Sequence, residues 1–184
     1  MPRLFTALPL PPEASASLAA ARPAPAKGVR LVAPDQMHVT LHFIGEAQID
    51  HVSGLLQGIE MPACELALGG VGQFGRGSVL WAGVQPHQAL LQLHADIGTA
   101  LAAGGIAIES RSYRPHVTLA RCKPDVPQAY VADFLERHAG LQLPPLRATR
   151  FALYSSTPST NGPLYRIERW FPSSEEPGPR KRPA

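Results

Sequence analysis

The chain has 184 residues, 45% of them hydrophobic and 17% charged, with 16 Gly, 20 Pro and a formal charge of +3. This length suits one domain or two small fused lobes; the composition excludes a disordered polyelectrolyte, and the aperiodic Gly and Pro exclude a collagen-like repeat. The pI near 9.1 invites a nucleic-acid partner, but Arg180, Lys181 and Arg182 sit with Glu175 and Glu176 at the C-terminal end, so net charge is weak evidence about partners.

Arg3–Leu8 is short and apolar and stops at Pro9, Pro11 and Pro12, which predicts a buried strand. Pro11 and Pro12 suit the first turn of a helix with the stripe Ala14, Leu18 and Ala21, ended by Pro23 and Pro25. A brief extended piece, Val29–Ala33, leads to His38–Gly45, where Val39, Leu41 and Phe43 alternate as in a strand. Ile49, Val52, Leu55 or Leu56, and Ile59 then recur at helical spacing. Glu65–Val71 and Ser78–Val84 read as strands joined by a glycine-rich hairpin turn with Phe74 and Arg76 at its tip. A helix over 87–103 presents Leu90, Leu93, Ile97 and Leu101 on one face and ends at Gly104-Gly105. Pro115–Arg121 repeats the earlier His-strand, and Asp125 is placed to cap a helix carrying Tyr130, Val131, Phe134 and Leu135. Arg150–Ser155 and Leu164–Phe171 complete the strands, and residues 173–184, rich in Pro, Ser and charge, read as a disordered tail.

His38 and His116 are 78 positions apart, and the helices after them begin at about the same offset. The expectation is therefore an α+β fold: one domain over 1–172, built from two similar lobes about a pseudo-twofold axis, with helices outside and both His-strands facing one cleft. Cys64 and Cys122 form no CxxC pair, no secretory leader follows Met1-Pro2-Arg3, and no apolar run approaches bilayer length. These features predict a reduced, cytoplasmic protein with no membrane association.

Side chains two apart on a strand share a face, so His38 pairs with Thr40 and His116 with Thr118, while Val39, Leu41, Val117 and Leu119 turn to the core. Two imidazoles with ordinary pKa near 6.5 can divide the roles of base and acid at neutral pH. Two hydroxyls on the same wall can hold phosphate oxygens as charge builds there, without a metal. The ring nitrogen turned from substrate needs a partner, such as a backbone carbonyl, to fix its tautomer.

His38 and His42 have the i, i+4 spacing of a zinc pair, but position 39 is Val and four strand residues span about 13 Å, so no metal site is expected. His42 reads as a solvated rim residue, and His51, His87, His94 and His138 as structural or solvated. Cys122 beside Arg121 has no repeated partner, and Cys64 reads as a small buried hydrophobe. Phe5, Phe43 and Trp81 read either as core aromatics or as a base-stacking platform. Arg30, Arg114, Arg147, Arg150 and Arg166 are scattered.

His38-Val39-Thr40-Leu41 with Phe43 and Gly45, and Pro115-His116-Val117-Thr118-Leu119 with Arg121, resemble the motifs of the two-histidine phosphoesterases. Within that superfamily they are most similar to the bacterial and archaeal RNA 2',3'-cyclic phosphodiesterases, also called 2'-5' RNA ligases. The similarity runs over about residues 3–171, with Arg3-Leu4-Phe5 at one end and Tyr154, Tyr165 and Trp170 at the other. It implies two antiparallel sheets around a central groove, opening of a terminal 2',3'-cyclic phosphate to a 2'-phosphate, and a weak reverse ligation. RNA ends or nucleotides bearing that cyclic phosphate are the implied partners of a monomer that needs no cofactor. By the same resemblance His38 donates a proton to the departing 3'-oxygen and His116 activates water, or the two exchange roles. Thr40, Thr118 and Arg121 bind phosphate oxygens, with Phe5, Phe43 and Tyr154 at the substrate rim. Strict alternation from His116 puts Arg121 on the Val117 face, so a bulge near Ala120 is required if it reaches phosphate. The competing readings are a phosphodiesterase for a cyclic nucleotide metabolite and a non-catalytic RNA-end binding module.

Overall fold

The computed structural model describes residues 1–109, 111–160 and 162–172, so the expected tail over 173–184 lies outside the described residues. Alternating apolar residues build one half of a sheet from four antiparallel strands. In it β1 (Arg3–Pro9) lies between β3 (His38–Glu46) and β9 (Phe151–Thr157), with β10 (Leu164–Phe171) at the edge. The other half holds β5 (Leu68–Phe74), β6 (Val79–Val84), β7 (His116–Cys122) and the short β2 (Val29–Leu31). The halves meet at a single residue pair, Val39 with Val117, which gives the order β10-β9-β1-β3-β7-β6-β5 with β2 beside β7. The order is itself duplicated about that seam: each His-strand pairs with the strand that opens its own copy, β3 with β1 and β7 with β6.

Four helices complete the chain, α1 (Pro12–Ala20), α2 (Ile49–Leu56), α3 (Gln88–Ala103) and α4 (Gln128–Arg137). The stripe Leu90, Leu93, Ile97 and Leu101 of α3 is wholly buried, as are Val52 and Leu56 of α2, in one core with Leu4, Leu8, Val39 and Leu41 of the sheet. Each such side chain stabilises the fold by about 1.5–3 kcal/mol. A separate cluster, Phe5, Ala7, Ala152 and Tyr154, packs together on the groove face of the first half. α3 ends where expected, with the Gly104 N–H bonded to the Ala100 carbonyl at 3.1 Å and Gly105 at φ +76°, a conformation that favours glycine.

Two local expectations are corrected. Glu65–Val71 is two strands: β4 (Cys64–Leu66) leaves the main sheet to pair with β8 (Leu146–Ala148), while β5 pairs with β6. Three residues behind Pro144-Pro145 carry too little pattern to announce β8. Asp125 does not cap α4; Pro127 occupies that position without a side-chain bond, because the residue before a proline is barred from helical geometry and the helix can start only after it.

One close approach supports the second half. Gly72 pairs with Trp81, and a Cβ at Gly72 would overlap the indole ring. Gly72→Ala is therefore expected to lower stability by roughly 1–3 kcal/mol through overpacking. Urea unfolding followed by tryptophan fluorescence measures this, and an unchanged midpoint would refute it.

Candidate active site

Both His-strands carry a bulge at the same place. On β3, Thr40 pairs with Ala7 and His42 with Thr6, leaving Leu41 as the extra residue; on β7, Thr118 pairs with Trp81 and Ala120 with Leu80, leaving Leu119. The bulge puts two consecutive residues on the core side, Leu41 with His42 and Leu119 with Ala120, and resets the alternation beyond them. Phe43 and Arg121 thereby return to the face of the histidines. The bulge that Arg121 requires is thus present, one residue before Ala120. His38, Thr40, Phe43, His116, Thr118 and Arg121 all line one cavity of about 1130 Å³ between the two halves of the sheet.

The antiparallel pair Val39–Val117 fixes how the four motif residues face each other. His38 and Thr40 flank Val39 on one strand as His116 and Thr118 flank Val117 on the other, and all four line the same cavity. Each imidazole is held in the same way. His38 Nδ1 lies 2.8 Å from the Gln36 carbonyl and His116 Nδ1 lies 2.7 Å from the Arg114 carbonyl. A carbonyl only accepts, so the proton sits on Nδ1 and the Nε2 lone pair is left for chemistry. Gln36 and Arg114 stand two residues before their histidines in both copies. From the sequence Arg114 is named only among the scattered arginines and Gln36 is passed over, although the 78-residue offset marks both.

Aromatic rings back each imidazole. His38 packs against Phe5 and Tyr154 at centroid distances of 5.0 and 5.6 Å, with Tyr165 edge-on at 5.1 Å. His116 meets Phe74 edge-on at 4.9 Å, with Trp81 at 6.1 Å. Phe5 and Tyr154 stack on each other at 5.0 Å and are only 3% and 7% exposed, so they form a floor under His38 instead of an open base-stacking surface. Phe43, at 50% exposure, is the ring of the expected three that stands open in the groove.

Burial is the main cause that lowers both histidines, taking His38 to about 4, and the nearby Arg121 cation pushes both further down while the two backbone carbonyls pull up. Both rings are therefore shifted toward the neutral form. Burial raises the Cys122 thiol, which leaves it without thiolate character.

His42 departs from the rim position expected of it. The Leu41 bulge turns it to the α3 side, where it is 6% exposed, its Nε2 lies 2.7 Å from the His94 carbonyl and its ring stacks on His94. His87 instead caps α3, accepting from the Ala89 N–H at 3.3 Å. Among the described residues no group of three His, Cys, Asp or Glu is placed to hold a metal ion, and no helix is long and apolar enough to cross a membrane.

Residues 10–158 match the profile of the 2'-5' RNA ligase superfamily. The chain belongs to the 2'-5' RNA ligase superfamily. Among its relatives in that superfamily, the RNA 2',3'-cyclic phosphodiesterase of Escherichia coli K12 is 32% identical over 175 residues, covering 91% of this chain and 95% of the relative. The crystal structure of E. coli LigT complexed with 3'-AMP superposes with a TM-score of 0.72 at 29% identity, over 92% of this chain and 97% of that one. TT0787 of Thermus thermophilus gives 0.75 at 26% identity, over 92% of this chain and 96% of that one.

Proposed function

We propose that this protein is an RNA 2',3'-cyclic phosphodiesterase that opens a terminal cyclic phosphate to a 2'-phosphate, acting as a cytoplasmic monomer whose single domain spans residues 1–172. The observation that carries the reading is the duplication of a pinned imidazole: two histidines, each with Nδ1 on a carbonyl two residues back, line one cavity with a threonine beside each. A binding module has no need of two titrating groups held in one tautomer. His116 takes a proton from water as its oxygen bonds to phosphorus, the bond from phosphorus to the 3'-oxygen breaks, and His38 gives that oxygen its proton. The Thr40 and Thr118 hydroxyls and the Arg121 guanidinium hold the non-bridging oxygens as negative charge gathers on them. A 5'-hydroxyl in place of water would give a 2'-5' linkage by the same displacement. The cavity is larger than most small-ligand pockets, which favours an RNA end over a free nucleotide metabolite.

The test is an oligoribonucleotide ending in a 2',3'-cyclic phosphate, incubated with the protein and EDTA, with the position of the product phosphate identified. A 2'-phosphate supports the reading. A 3'-phosphate or no product overturns it, the latter in favour of end binding alone.

The lowered histidines fix the pH dependence. The base must be neutral, so a pKa below 6.5 lets kcat/KM rise at correspondingly lower pH. The acid must be protonated, so the depressed His38 brings the alkaline limb of kcat/KM down as well. A bound phosphodiester anion stabilises the imidazolium and raises it again. The kcat/KM profile is therefore expected to centre below pH 6.5 and the kcat profile to extend further to alkaline pH; coincident profiles centred at 7 or above would contradict this.

A further inference from the structure

Beyond Val39 and Val117 the ladder between β3 and β7 does not continue, so one backbone pair joins the strands that carry the two histidines. A second tie crosses the seam nearby. Tyr113, on the segment between α3 and β7, donates its phenolic O–H to the Thr40 carbonyl of β3 at 3.1 Å. Its ring stacks on His94 at 3.9 Å and 14°, and His94 stacks on His42 at 4.0 Å and 19°, so three rings lie in one column. The base of the column is fixed at two points. The His42 backbone N–H donates to Thr6 Oγ1 at 3.1 Å, and its Nε2 meets the His94 carbonyl at 2.7 Å. Burial raises the Tyr113 phenol above its ordinary range, which keeps it a donor at every physiological pH.

The chain next to Tyr113 is the one that holds His116. Arg114 follows directly, and its carbonyl accepts from His116 Nδ1 at 2.7 Å; Pro115 comes next, and its carbonyl accepts from the Val84 N–H at 3.1 Å. The Arg114 peptide is thus clamped on one side to β3 through Tyr113 and on the other to β6 through Pro115. We infer that Tyr113 is a positioning residue: its bond to Thr40, set at the right height by the His94 and His42 rings, orients the Arg114 carbonyl and so holds His116 in its reactive tautomer at a fixed place relative to Thr40. The catalytic part of this inference rests on the reading of His116 given above. Gln36 serves the other histidine in a related way, its carbonyl accepting from His38 while its side-chain oxygen accepts from the Tyr165 N–H at 2.9 Å.

Tyr113→Phe removes the hydroxyl and keeps the ring, so the fold and the column persist. In the full-length variant, 15N spectra of the histidine side chains are expected to show His116 changing from the pure Nδ1–H tautomer to a mixture, with His38 unchanged. With a cyclic-phosphate oligoribonucleotide, kcat is expected to fall about tenfold, the size of one hydrogen bond, at nearly constant KM. His94→Ala should reproduce the loss by letting the Tyr113 ring sink, and His94→Phe, which refills the column, should restore most of it. An unchanged His116 tautomer in Tyr113→Phe overturns the inference, as does a loss for His94→Ala that Phe does not rescue. Absence of turnover by the wild-type protein would overturn the functional reading instead, and the spectra would still decide the role of Tyr113.

Discussion

Replacing His38 or His116 by alanine is expected to lower kcat on cyclic-phosphate RNA by on the order of 10²–10⁴-fold in each case, with the double variant losing little beyond the worse single one. In the proposed displacement a proton is removed from water and a proton delivered to the leaving oxygen in the same event, so losing either partner stalls both. The rings also fill space. His38 covers Phe5 and Tyr154, and His116 covers Phe74, so alanine opens a gap over each aromatic floor. Asparagine in place of each histidine separates packing from chemistry, since it supplies a polar group of similar reach that does not titrate. Circular dichroism should show all variants folded and single-turnover rates should show the loss; an Asn variant within threefold of wild type would refute proton transfer by that ring.

Much of this site is legible in the chain because the duplication repeats it. His38 with Thr40 and His116 with Thr118 recur at one offset on strands whose alternation is plain, and the α3 stripe of Leu90, Leu93, Ile97 and Leu101 is regular enough to place its helix to within a residue. What could not be read depends on tertiary register. Leu41 and Leu119 look like any other core residues, yet as bulges they decide that His42 turns inward and that Phe43 and Arg121 turn to the groove. Phe5 and Tyr154 are 149 positions apart, and their stacking under His38 exists only because β9 returns from the far end of the chain to pair with β1. The Tyr113 bond to Thr40 spans the seam between the halves and leaves no periodic trace.

The bulge at Leu119 makes Arg121 the next decisive test. Because the alternation resets there, the guanidinium joins His116 and Thr118 on the groove wall, where it can meet two phosphate oxygens at once. In the proposed mechanism Arg121→Ala removes a donor to the charge that develops in the displacement, and kcat is expected to fall by about 10²–10³-fold. The same change has an opposite electrostatic effect on the histidines. Burial is the main cause that lowers both histidines and the Arg121 cation adds to it, so loss of that cation favours the imidazolium and raises them. Since the base works as the neutral ring, the acid limb of kcat/KM must then move to higher pH. Arg121→Lys keeps the charge and loses the fork, so the pH profile should stay near that of wild type while only part of the lost rate returns. A surface cation without a catalytic part would show neither the loss nor the shift. An Arg121→Ala enzyme with kcat within threefold of wild type and an unmoved acid limb would remove Arg121 from the mechanism and leave the oxyanion to Thr40 and Thr118 alone.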